Sequence, residues 1–222
     1  RMKTLNVRFS SPVLPGETLR TEIWNEDGIA SFRTSVLERN VVVLNNGTLV
    51  WSGGAVDVVG SGSINNNGLF DIQSDSNFGD QGVGSGTFTF NNAVGATLRK
   101  SVTTGTTLFG SAGGGTPNGV TLANAGTVDV QTGTLSINHN VSGVPAAALS
   151  NSGAVNIADG ATLIASGGGF SNTGTLRLLG TGAILRRTGG FSNDGAIQGT
   201  GTIDVTSGAL TDEAKADTAL EL

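Results

Sequence analysis

Asn151-Ser-Gly-Ala-Val-Asn-Ile157, Asn172-Thr-Gly-Thr-Leu-Arg-Leu178 and Asn193-Asp-Gly-Ala-Ile-Gln198 are copies of one pattern, set 21 residues apart. Earlier copies are Asn45-Asn-Gly-Thr-Leu-Val-Trp51, Asn66-Asn-Gly-Leu-Phe-Asp-Ile72 and Asn124-Ala-Gly-Thr-Val-Asp-Val130. A small unit that recurs at a fixed period near twenty cannot bury its apolar face alone, and stacking on its neighbours lets it do so. The expected fold is therefore all-β: a parallel β-helix, or β-solenoid, of about 21-residue coils. Triplets such as Val128-Asp-Val130 have the period of two that turns one strand face inward. A second glycine-led signal follows in Gly160-Ala-Thr-Leu163 and Gly182-Ala-Ile-Leu185, so each coil should contain two or three strands.

The repeated residues predict a structural turn ladder of Asn45, Gly47, Asn66, Gly68, Asn124, Gly126, Asn151, Gly153, Asn172, Gly174, Asn193 and Gly195. Asparagine tolerates left-handed backbone, and its amide can bond the equivalent amide one coil away. Glycine two positions later relieves the sterics of a positive φ. The spacing widens in places: Gly126 to Gly153 is 27 residues, and Gly68 to Gly126 is 58, with a degraded copy at Asn91-Asn-Ala-Val-Gly-Ala-Thr-Leu98 between them. Ser74 to Ser85, Ser111 to Gly119 and the stretch around His139 to Ala147 are the expected loops, since insertions in repeats map to the surface.

Composition narrows the function classes. The net charge of −5 and the absence of a Lys/Arg cluster argue against nucleic acid. No apolar run reaches the length of a membrane span. With no cysteine there is no disulfide, zinc thiolate or thiol nucleophile. Glycine reaches 36 of 222 residues without a Gly-X-Y period, so these glycines belong to turns and not to collagen.

Residues 1–44 differ in composition, with six of the chain's 12 Lys and Arg but only Gly16 and Gly28 of its 36 glycines. Strands are expected at Leu5 to Phe9, Thr18 to Trp24 and Ile29 to Val36, with a turn at Asn25-Glu-Asp-Gly28. Arg8-Phe-Ser-Ser-Pro-Val-Leu-Pro-Gly-Glu-Thr-Leu-Arg-Thr-Glu-Ile-Trp24, continuing through Phe32 to Arg39 and Val41 to Gly47, resembles the C-terminal strands of MaoC-like dehydratases, the hot-dog-fold (R)-specific enoyl-CoA hydratases. The resemblance implies a short antiparallel segment and, as ligand class, acyl-CoA. It also implies an Asp and a His that activate water, on a helix that precedes the matching strands. Here His139, the one histidine, lies far along the repeats, so no catalytic residue carries over and the segment reads as a truncated remnant without hydratase activity.

The repeats resemble those of autotransporter passengers and filamentous-haemagglutinin-like adhesins. That implies a bacterial surface or secreted protein with an adhesion or rigid-stalk role, and host or matrix glycans or proteins as partners. The main reading is thus a non-enzymatic solenoid, extracellular or at the cell surface. The alternatives are the truncated hydratase, which is cytoplasmic, and a polysaccharide-active β-helix enzyme.

Catalytic, cofactor and metal sites are not expected. Asp57, Asp71, Asp129, Asp159, Asp194 and Asp204 read as single residues on a solvated outer face, not as paired carboxylates. Gly113-Gly-Gly115 and Gly167-Gly-Gly169 lack the Lys-Ser/Thr of a phosphate loop and read as flexible turns. Arg186-Arg187 reads as a minor positive spot, and Trp24 and Trp51 as core or cap residues. The expected organisation is 1–44 hot-dog-like strands, 45–210 solenoid and 211–222 a polar tail or cap, in which Thr211 to Leu222 forms either a short helix or a disordered end.

Overall fold

A computed structural model describes residues 12–26, 29–39, 41–46, 48–57, 61–79, 87–110, 119–139 and 147–212. The strand expected at Leu5 to Phe9 lies outside them, as do Gly47, Gly113-Gly-Gly115 and residues 213–222. The described residues are all-β, with no helix. Three strands, β1 (Leu19–Glu26), β2 (Ile29–Val36) and β3 (Val41–Asn46), form an antiparallel sheet in that order. β1 and β2 pair in register from Leu19 with Val36 to Glu26 with Ile29, and the turn expected between them, at Asp27-Gly28, lies outside the described residues. Across the sheet Thr21 and Thr34 share a hydroxyl bond of 2.9 Å.

The remaining strands fall into three parallel sheets of seven strands each. Sheet I takes Thr48–Trp51, Leu69–Ile72, Thr97–Lys100, Thr127–Val130, Ala154–Ala158, Thr175–Leu179 and Ala196–Gly199. Sheet II takes Val56–Asp57, Asn77–Gly79, Thr106–Phe109, Thr134–His139, Thr162–Gly167, Ile184–Thr188 and Thr202–Ser207. Sheet III takes Gly62–Asn66, Thr87–Asn92, Gly119–Asn124, Ala147–Asn151, Gly169–Asn172, Phe191–Asn193 and Leu210–Asp212. The chain visits I, II and III in fixed rotation, and each round is called a coil, numbered 1 to 7 along the chain. Thr211 and Asp212 therefore sit in a strand, and not in a helix or tail.

The core is built of vertical columns, because parallel in-register pairing sets like positions above one another. In sheet I the column Phe70, Leu98, Val128, Val155 and Leu176 is buried throughout. Coils 1 to 3 fill the interior with aromatics: Phe78 stacks on Phe109 at 4.7 Å, and Trp51 meets Phe78 edge-on at 6.0 Å. Trp51 donates its indole N–H to Gly54 O at 2.8 Å, as a buried tryptophan must find an acceptor. Later coils are aliphatic, apart from Phe170 stacked on Phe191 at 4.5 Å.

Two of the expected loops contribute strands. Asn77–Gly79 lies within Ser74 to Ser85 and pairs in sheet II, and His139 ends a strand of sheet II opposite Gly167. Backbone pairing to neighbouring coils overrides the polar composition that reads as a loop.

Candidate functional site

The column that unites the coils is made of asparagines at the ends of the sheet III strands. Asn66 Nδ2 donates to Asn92 Oδ1 at 2.8 Å, Asn92 to Asn124 at 2.7 Å, Asn124 to Asn151 at 2.7 Å, Asn151 to Asn172 at 2.6 Å and Asn172 to Asn193 at 2.6 Å. All six are buried. Several amides also reach a carbonyl across the next corner, as Asn66 does at Thr97 O (2.9 Å) and Asn124 at Ala154 O (2.9 Å). Each such bond contributes about 1 kcal/mol net, and a buried amide left unpaired costs about 1–3 kcal/mol.

The separations along the column are 26, 32, 27, 21 and 21 residues, so the coil is not of constant length. Extra residues go into the stretches between strands and leave the column in register. Asn92, from the degraded copy, fills the place between Asn66 and Asn124. Asn45 pairs through its backbone with Arg33 in the antiparallel sheet.

The column corrects the local explanation of the motif. The asparagines are strand residues, not left-handed turn residues. Gly126, Gly153, Gly174 and Gly195 do not have positive φ; they are needed for close approach. A Cβ on Gly153 would lie 2.1 Å from Gly126 O, one on Gly174 2.1 Å from Gly153 O, and one on Gly195 2.1 Å from Gly174 O. The corner glycines stack directly on one another, which no side chain permits. Positive φ falls instead at other glycines, such as Gly133 (φ 62) and Gly160 (φ 74) in the corners between sheets I and II.

The acids are not uniformly solvated. Asp71 is buried on the outer face of sheet I beneath Arg99, which donates Nε at 3.0 Å and Nη2 at 2.8 Å, with Ser101 at 2.7 Å and Gln73 at 2.9 Å. Burial alone raises its pKa, but the donors from Arg99, Gln73 and Ser101 outweigh that and hold the carboxyl below its ordinary value. Up the row stand Arg99, Asp129, Asn156, Arg177 and Gln198, so neighbouring carboxylates are separated by a guanidinium. Asp204 pairs with Arg186 at 2.9 Å, and Asp159 accepts Gly182 N–H at 2.8 Å. The side chain of Asp57 lies outside the description. Among the described residues no three His, Cys, Asp or Glu converge on a metal position.

Two cations lie at inward positions, where alternation leads one to expect apolar residues. Lys100 occupies the column of Ile72 and Val130 and is fully buried, with Nζ 2.9 Å from Asp75, 2.8 Å from Thr103 Oγ1 and 3.0 Å from Thr107 Oγ1. Asp75 is held below its ordinary pKa, chiefly by that Lys100 bond. Arg187 is likewise buried and is no part of a positive surface spot. The sequence signal for both is a cation at an inward-alternating position.

In the antiparallel segment, Arg39 clamps Glu17 with both Nε and Nη2, and Nη2 also reaches Pro12 O at 2.9 Å. Thr18 N–H donates to both Glu38 oxygens at 3.0 Å. These bonds hold Glu17 and Glu38 below their ordinary pKa, through Arg39 and Thr18 respectively. Charges committed in this way act as ties between the loop at 12–18 and the turn after β2, not as a proton-transfer pair.

Short stretches of known enzymes are similar to this chain. Peroxisomal multifunctional enzyme type 2 of Mus musculus is 48% identical over 46 residues, which is 21% of this chain and 6% of the enzyme. The Drosophila melanogaster protein of the same name is 42% identical over 59 residues, 27% of this chain and 9% of its own. The peroxisomal hydratase-dehydrogenase-epimerase of Saccharomyces cerevisiae is 43% identical over 42 residues, 19% of this chain and 5% of its own. The chain thus spans less than a tenth of the length of the curated relatives it matches. No family model and no solved structure matches it.

Proposed function

We propose that this chain joins a strand segment of a MaoC-like hydratase unit, ending with β3, to a non-catalytic β-solenoid scaffold that runs from Thr48 through Asp212. The 48% identity over 46 residues with the mouse multifunctional enzyme carries this reading, since that length matches the hydratase-like stretch at 3–47. Acyl-CoA is then the ligand class of the unit to which the segment belongs, and the compartment is intracellular. Glu17 is tied to Arg39 and Glu38 to the Thr18 N–H, and general acid/base hydration needs a titrating group free to reach the water. The segment therefore binds into a larger hydratase fold without supplying its chemistry. The test is hydration of crotonyl-CoA by the purified chain, followed by loss of the enoyl thioester. The expected rate equals that of buffer, and a saturable rate above it overturns the remnant reading.

A second reading, a rigid stalk or adhesive face of a bacterial surface or secreted protein, draws support from the stacked coils and the repeat style. Its partners would be glycans or proteins. Binding of labelled chain to a panel of matrix glycans and proteins favours it, and a blank panel favours the scaffold reading.

A further inference from the structure

The Gly167-Gly-Gly169 run and Arg187 play no part in either reading, yet the fold brings them together. Arg187 points inward from sheet II in the column Phe109, Ile137, Ala165, Arg187, Val205. Its Nε donates to Gly190 O at 3.0 Å; Nη1 donates to Ala165 O at 2.8 Å, Gly167 O at 3.0 Å and Thr188 O at 2.5 Å; Nη2 donates to Gly168 O. Every acceptor is a main-chain carbonyl. Among the described residues no carboxylate forms an ion pair with it, and burial accordingly pulls its pKa below the ordinary value.

The backbone is shaped around this group. Gly167 and Gly168 have φ of 67° and 42°, consecutive left-handed residues whose two carbonyls meet the same guanidinium. Gly189 has φ 113°, and a Cβ there would lie 2.8 Å from Nη2. These corners of coils 5 and 6, between sheets II and III, carry Gly167, Gly168, Gly189 and Gly190 and so have no side chains of their own to hold them.

The structure assigns to this corner a guanidinium-binding cage of five carbonyls, filled in cis by Arg187 and holding the corners of coils 5 and 6 together. The five carbonyls surround the planar group on all three nitrogens, one on Nε, three on Nη1 and one on Nη2, whereas a lysine ammonium offers three N–H groups from a single nitrogen. The ligand class is therefore planar guanidinium cations, and the claim is independent of the acyl-CoA and adhesion readings.

Chemical rescue in the full chain tests it. Arg187→Ala is expected to lower the melting temperature, and low-millimolar guanidinium chloride to raise it again in a saturable way, because a ligand that binds only the folded state stabilises it. Wild type should show no such rise, and sodium chloride and urea should not reproduce it in the variant. No rise with guanidinium, or an equal rise with sodium chloride, overturns the cage. If Arg187→Ala does not fold, refolding with guanidinium should recover the β-sheet circular dichroism where sodium chloride does not; recovery in neither also overturns it. Arg187→Lys should stay below wild type in melting temperature, and full restoration by lysine would refute the requirement for a planar guanidinium.

Discussion

Asn172 accepts from Asn151 and donates to Asn193, so its removal strands groups on both sides. Asn172→Ala should therefore cost about 1–3 kcal/mol in urea unfolding, whereas Asn91→Ala, on the exposed Asn91–Asn65 bond, should stay within about 0.5 kcal/mol. Glycine supplies a second comparison at this scale. Gly174→Ala brings a Cβ to 2.1 Å from Gly153 O, while Gly160→Ala meets nothing within 4 Å and bears only the strain of φ 74°. Gly174→Ala should lower the unfolding midpoint more, and equal losses would show that backbone conformation and not coil stacking selects the glycine. The motif itself is legible in the sequence; its cause is not, because the atom a Cβ would strike belongs to residues 21 positions away.

Within a single sheet, alternation decides which side chains face the core. Val128 and Leu176 are buried at the inward positions that their polar neighbours imply. Leu176→Asp should destabilise by several kcal/mol through an unpaired buried charge, measured by chemical denaturation. The outer row of sheet I carries a pH dependence whose sign follows from Asp71. Its folded pKa is depressed, so its contribution is present above the ordinary carboxylate pKa of about 4 and is lost as pH falls through the lower folded value. Asp71→Asn should flatten the acid limb of a stability-against-pH curve, and an unchanged limb would show that the Arg99 pair adds nothing there. Alternation places Lys100 inward but cannot foresee what makes it tolerable there: Asp75 and Thr103 meet it from two corners and Thr107 from a strand of sheet II.

For the whole molecule, far-UV circular dichroism should show β-structure with little helix, and a helix-dominated spectrum would reject the fold. The all-β class and the repeated stacking are readable from the period, and a change of character near residue 45 from the composition. The uneven spacing is readable too, but not that a single asparagine column survives it. Separations of 32 and 21 residues give the same column because corners absorb length while strands keep register. What the sequence by itself determines is the strand faces, which follow from a period of two, and the recurrence of Asn-x-Gly, which is read directly off the chain. Which amide bonds which, why the corner must be glycine and what encloses Arg187 are decided only by tertiary structure. Apart from the Thr188 and Gly190 carbonyls on Arg187, those contacts join residues about twenty positions or more apart, and only packing one coil on the next sets them at bonding distance.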